Sequence, residues 1–286
     1  MRLAAKSLIY AAGAAICGVA FNSDALEPGQ SPPLRMLSIG DSFTRAANAN
    51  LPGDNLNNSW TNGYVDFWQE VLGLPNIHSH YQRVGAHFGK RGRRNWTTAQ
   101  NGDSVKDMVT QGASVATLDV NYVTIMLGAN DVCRSNAADL ITDAEFEGHV
   151  RNGMSTVLNG LRDGSTLLVA AIPNVKGVHE FGQTKTALGI TSCERMWKLT
   201  GLCAAMLGEN STEMDRQYLQ SRNIGYNAIL ERVTGEMAAS YPGKFVRYSA
   251  ATFQLPSSQD QLSDIDCFHA GWRGQQAAAE LTWPFT

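Results

Sequence analysis

Two short stretches constrain this chain more than any other feature. Residues 120–127 (VNYVTIML) and 166–172 (TLLVAAI) are apolar almost throughout. A strand buried on both faces has that character, and such strands belong to parallel sheets covered on both sides. Further β-prone runs are residues 35–39, which end abruptly at Gly40-Asp41-Ser42, and residues 244–248, with a weaker one at 96–99. Between them lie helix-length segments at 63–72, 104–111, 143–162 and 210–240, the last with Gly225 where it could break. Strands that alternate with helices predict an α/β fold, a three-layer α/β/α sandwich around a central parallel sheet. There is no internal repeat and no linker, so residues 34–286 read as one domain. Residues 27–33, rich in Pro, Gly and Ser, read as a flexible entry. Residues 174–208 lack periodicity and read as an excursion over the site.

The chain begins Met-Arg-Leu-Ala-Ala-Lys, continues with an uncharged apolar run over 7–21, and presents Gly18-Val19-Ala20 as small residues for processing. That order predicts a signal peptide over residues 1–25, cleaved after Ala20 or Ala25, and a secreted or periplasmic protein. As a membrane anchor the run is short for about 30 Å of hydrocarbon, and it carries Gly13 and Gly18. Cys17 invites lipidation, but Ile16 is too large for the residue before a lipidated cysteine. Loss of Arg2 and Lys6 with the leader moves the formal charge from −3 to near −5, which excludes nucleic acid as an expected partner. An apolar fraction of 43% supports a packed globule. Cys133, Cys193, Cys203 and Cys267 make an even set in an oxidising compartment, so two disulfides are expected. Three pairings are open; Cys193 with Cys203, which closes a short loop, is the favoured one.

Three motifs stand where an open parallel sheet binds ligands, beyond the carboxyl ends of its strands. Gly40-Asp41-Ser42 follows the first strand, Gly128-Ala129-Asn130-Asp131 follows the strand at 120–127, and Asp266-Cys267-Phe268-His269 follows the last strand. A serine hydroxyl is a weak nucleophile and needs a base that a third group orients. Ser42, His269 and Asp266 are those three types, and the i, i+3 spacing of the last two brings their side chains to one face. Acyl transfer also needs donors where charge builds on the carbonyl oxygen. The backbone N–H of Ser42, the side-chain amide of Asn130 and the backbone N–H of Gly102 are the candidates. Gly102 can approach a substrate closely because it lacks a Cβ.

In that order, Gly40-Asp41-Ser42-Phe43, Gly102, Gly128-Ala129-Asn130-Asp131 and Asp266-Cys267-Phe268-His269 resemble the four blocks of the SGNH (GDSL-type) hydrolase superfamily. The resemblance implies a flavodoxin-like sheet, no metal or cofactor, and ester hydrolysis through a serine acyl-enzyme. Asn130-Asp131-Val132-Cys133, residues 197–208 and Asp266–Gly271 look like its phospholipase B-like branch. The chain departs from the usual pattern at Phe43, where leucine is common, and at Ala270, where a small polar residue is frequent. The expected partner is a small-molecule or lipid ester. A carbohydrate O-acetyl esterase and a catalytically silent binding module on the same fold are the alternative readings.

Each motif alone has a plainer explanation. Gly-Asp-Ser makes ordinary turns, Asp266 could cap a helix, and Gly128–Asp131 could be a turn after a strand. Their order and common placement argue for the joint reading. Asp131 and Asp264 are rival carboxylates, and spacing favours Asp266. Near Gly102, Gly85, Gly89 and Gly92 are competitors. His78 and His80 have no acidic or cysteine neighbour to complete a metal site, and His87, His149 and His179 read as surface residues. Lys90, Arg91, Arg93 and Arg94 read as a solvated face that could meet anionic head groups in a transient contact with a lipid surface. Trp60, Tyr64, Phe67 and Trp68 either line an acyl pocket or, as their helical spacing favours, pack in the core.

Overall fold

The structure is a computed structural model that describes residues 26–65 and 67–285. The leader predicted at 1–25 lies outside the described residues. The strands are β1 (Arg35–Gly40), β2 (Arg94–Thr97), β3 (Tyr122–Met126), β4 (Thr166–Ala170), a two-residue pair β5 (Thr186–Ala187) and β6 (Thr191–Ser192), and β7 (Phe245–Ser249). Five of them form one sheet in the order β2-β1-β3-β4-β7, and every neighbouring pair is parallel. The chain steps outward from β1 to β2, then returns to the other side of β1 for β3. That reversal makes a crevice at the carboxyl ends of β1 and β3, where doubly wound sheets bind ligands.

The two-residue period of the strands divides the core into two layers. Leu37, Ile39, Val123, Ile125, Leu167 and Val169 point to one face. There they meet Phe146, Val150, Met154 and Val157 of helix Asp143–Gly160 and Leu219, Tyr226, Leu230 and Val233 of helix Glu213–Ser240. Met36, Tyr122, Met126, Leu168 and Ala170 point to the other. They pack on Val84 of helix His80–His87, Ala278 and Ala279 of helix Trp272–Leu281, and the terminal Trp283 and Phe285. Because both faces are covered, no strand needs a polar side, which accounts for the apolar runs at 120–127 and 166–172. Thr142 with Glu145, and Thr212 with Asp215, form capping boxes that start the two long helices.

The local expectations shift in several places. Helix Glu213–Ser240 runs unbroken through Gly225. Glycine inside a helix costs only about 1 kcal/mol, which buried Tyr226, Ile229 and Leu230 offset. Residues 63–72 are helical only over Phe67–Leu72. Trp60 is fully buried, while Tyr64, Phe67 and Trp68 are exposed. The strand expected at 96–99 lies at Arg94–Thr97, where Arg94 pairs with Arg35. The entry segment is pinned: Gln30 donates to Thr166 Oγ1 at 2.8 Å and Ser31 N–H to Gly164 O at 2.8 Å. The 174–208 excursion contains helices Val175–Gly182, Cys193–Thr200 and Ala204–Leu207 besides the β5–β6 pair.

The disulfides are Cys133–Cys203 and Cys193–Cys267, so the favoured Cys193–Cys203 pairing is wrong. Cys193 opens helix Cys193–Thr200 and Cys203 lies beyond its other end. Eight helical residues span about 12 Å, whereas bridged cysteines keep their Cα atoms within about 7 Å. The helix separates the two cysteines, and each bridges a distant partner, 70 and 74 residues away.

Candidate active site

Every predicted block sits at the carboxyl edge of the sheet, and two glycines explain how the chain turns there. A Cβ on Gly40 would stand 2.2 Å from Thr44 Oγ1 and 3.0 Å from Met126 O, so only glycine lets β1 end against β3 and turn sharply into Asp41-Ser42. Gly128 has φ +124°, and a Cβ there would strike Ile172 Cδ1 at 2.5 Å. Its turn starts the short helix Ala129–Val132 that carries Asn130. Ser42, Asn130 and His269 line one cavity together with Asp41, Phe43, Ala129, Pro173, Asn174, Val175, Val178, Leu255, Pro256, Leu262 and Phe268.

His269 is held by Asp266. The ring Nδ1 lies 2.6 Å from Asp266 Oδ2. The same oxygen accepts a hydrogen bond from Asn48 Nδ2 at 2.6 Å. Asp266 Oδ1 accepts from the backbone N–H of Phe268 at 2.9 Å and of His269 at 3.0 Å. Burial pushes the Asp266 carboxyl up, but the hydrogen bond and charge of His269, with the Asn48 and Phe268 donors, outweigh it and hold the pKa at about 2. Asp266 is therefore an anion at neutral pH that fixes one imidazole nitrogen, Nδ1, and leaves the other free of that bond. The rival carboxylates serve elsewhere. Asp264 is exposed and pairs with Lys185 at 2.5 Å. Asp131 is buried, accepts from Val105 N–H at 2.9 Å and pairs with Arg134 at 3.3 Å. Burial raises its pKa to about 6 against those two partners.

Asn130 Nδ2 donates to the backbone carbonyl of Asp103 at 2.8 Å, which leaves the second amide hydrogen free of that bond and orients the group. The carbonyl belongs to the residue after Gly102, and Asp131 holds the same loop through Val105. Gly102 itself sits in an exposed turn with φ +85° and is not among the residues that line the cavity. Asp41, beside Ser42, is buried and accepts from Phe43 N–H at 2.8 Å. Burial raises its pKa to about 7, against the Phe43 hydrogen bond and the attraction of His269.

The histidines outside the site do not gather. His80 is fully buried between Tyr122 OH, 2.7 Å from Nδ1, and Thr282 Oγ1, 3.0 Å from Nε2, and burial drives its pKa down to about 3. His78 is exposed. His179 stacks on Trp197, a half-buried position where a surface residue was expected. Among the described residues no group of three or more His, Cys, Asp or Glu side chains could hold a metal ion.

The 174–208 excursion does reach the site, where residues 173–178 form one apolar wall; sequence reading missed Asn48 and the second wall, Leu255–Leu262. Asn48 sits in an alanine- and asparagine-rich loop with no pattern; its left-handed φ of 53°, which asparagine tolerates, is visible only in the fold.

The model of the GDSL-like lipase/acylhydrolase family matches residues 36–282. Among solved structures, the chain is similar to one described as a GDSL-like lipase from Parabacteroides merdae, with 12% identity, a TM-score of 0.50, and 88% of this chain and 94% of that one covered. It is also similar to an acetyl xylan esterase (15% identity, TM-score 0.48, 87% and 98% covered) and to an extracellular lipase from Streptomyces rimosus (14%, 0.48, 88% and 99%). At 12% identity the likeness to the Parabacteroides merdae protein is one of fold. A comparison with curated proteins finds no match. The family match extends to no particular branch, the phospholipase B-like one included. It covers the sheet, both helical layers and all four sequence blocks, and the chain belongs to the GDSL-like lipase/acylhydrolase family, whose members act on ester bonds.

Proposed function

We propose that this protein is an exported serine hydrolase of carboxylic esters that works through Ser42, His269 and Asp266. The observation that carries this reading is the shared cavity: Ser42, Asn130 and His269 line it, and Asp266 holds the far side of the imidazole at 2.6 Å. In the proposed reaction His269 takes the proton of Ser42 Oγ as that oxygen attacks the acyl carbon. The oxyanion is held by the N–H of Ser42 and by Asn130 Nδ2, while Gly102, in its exposed turn off the cavity, takes no part. Collapse to the acyl-enzyme expels the alcohol, protonated by His269. His269 then removes a proton from the water that releases the acid.

Export accords with the leader-like start and with two disulfides, which persist in oxidising compartments. Among the described residues no helix is long and apolar enough to cross a membrane. The test is hydrolysis of p-nitrophenyl acetate by the wild-type, Ser42→Ala and His269→Ala proteins. Loss of at least about a thousandfold in both, with unchanged circular dichroism, is expected. A Ser42→Ala protein that retains turnover contradicts the reading.

A further inference from the structure

We propose that the apolar cavity beside Ser42 is an acyl pocket for short, uncharged acids of roughly two to four carbons, a size fixed by the benchmark of about 150 Å³ for one benzene molecule. This inference rests on Ser42 being the nucleophile.

The cavity measures about 60 Å³. An aliphatic cavity of about 150 Å³ holds six carbons, so this one holds roughly two or three carbons beyond the acyl carbonyl, which stays at Ser42. Its inner walls are Val175, Val178, Leu255 and Leu262, all buried. Among the described residues that line it there is no lysine or arginine, and His269 is already held by Asp266, so a carboxylate on the acyl group would be buried without a cation of its own.

The walls are tied together by hydrogen bonds, which keeps the cavity from widening to admit a longer chain. Asn174 N–H donates to Leu255 O at 2.8 Å and joins the two walls directly. Val175 N–H donates to Asn223 Oδ1 at 3.1 Å, which anchors one wall to the long helix Glu213–Ser240. Ser263 N–H donates to His269 O at 2.8 Å, which couples the Leu262 wall to the imidazole loop. A fatty acyl chain would have to break these bonds or lie outside the pocket, where it gains little from burial. The specificity-determining residue is Val178, which projects from helix Val175–Gly182 into the cavity.

The experiment is a chain-length series of p-nitrophenyl esters from acetate to dodecanoate, run with wild type, Val178→Ala, Val178→Phe and Ser42→Ala. Wild type is expected to peak in kcat/KM between acetate and butyrate and to fall at least tenfold by octanoate, since one methylene in a hydrophobic pocket is worth about 10- to 200-fold. Val178→Ala shifts the peak to longer chains, and Val178→Phe penalises butyrate more than acetate. A wild-type maximum at octanoate or longer, abolished by Ser42→Ala, overturns the pocket while leaving the nucleophile in place. So does a profile that neither Val178 variant moves. Hydrolysis that survives Ser42→Ala contradicts the underlying reading instead.

Discussion

Asn48 and His269 share one oxygen of Asp266: the amide Nδ2 and the imidazole Nδ1 each lie 2.6 Å from Oδ2. Asn48 is in turn held by its neighbours, since its Oδ1 accepts from Gly53 N–H at 2.7 Å and its carbonyl accepts from Ser263 Oγ at 2.6 Å. The carboxylate is thus clamped between a loop near the front of the chain and the loop that carries the histidine.

If that clamp positions the imidazole, Asn48→Ala lowers kcat by about tenfold, the loss of one charge-assisted hydrogen bond, with little change in KM. Asn48→Asp is worse than Ala because it sets a second carboxylate against Asp266. Steady-state kinetics of the two variants check the order; equal KM and kcat effects, or an Asp variant better than Ala, would argue against positioning.

The Cys193–Cys267 bridge is expected to matter for catalysis as well as stability. Cys267 lies between Asp266 and His269 with a left-handed backbone, φ 56°, and its bridge ties that turn to helix Cys193–Thr200. Closing a loop of 74 residues is worth about 4 kcal/mol. The double variant Cys193→Ser/Cys267→Ser should melt roughly 10 °C lower. Below its melting point it should also lose about tenfold to a hundredfold in kcat, because small displacements of a catalytic group are costly. Full activity in the folded variant would show that the turn holds its shape unaided.

Two buried groups give stability opposite pH slopes. Folded Asp41 titrates at about 7 against 3.8 for the free group, so the native state holds a proton that the unfolded chain releases. Stability is therefore lost as pH rises from about 4 to 7, by about 4 kcal/mol in all. Asp41→Asn keeps an acceptor for Phe43 N–H and should gain melting temperature over wild type at pH 8 more than at pH 5. Folded His80 titrates at about 3 against 6.5, so the unfolded chain binds the extra proton and stability is lost as pH falls through that window. His80→Gln should flatten the acid side of the melting curve. Thermal melts from pH 4 to 8 read both; parallel curves for wild type and variants would contradict these assignments.

The fold was legible because burial on both faces leaves a mark in the sequence: the β3 and β4 runs have no polar side, and Gly40 and Gly128 stand where a Cβ cannot. The block residues were legible for a related reason, since chemistry restricts their types. What escaped depends on contacts distant in sequence. Asn48 meets Asp266 across 218 residues. The separation of Cys193 from Cys203 follows from a helix whose start at Ser192 is set by a side-chain cap, too short a segment for periodicity to reveal. The excursion at 174–208 was legible as lying over the site, but not which of its residues, Val175 and Val178, would form a wall there, nor that Leu255 and Leu262 would form the other.

The central claim is that Ser42 is the nucleophile and that His269 activates it. Incubation with a fluorophosphonate, followed by mass spectrometry of the peptides, tests this most directly. The account predicts one adduct, on Ser42, that vanishes in Ser42→Ala and forms far more slowly in His269→Ala. An adduct on another serine, or labelling of Ser42 that proceeds equally fast without His269, would contradict it.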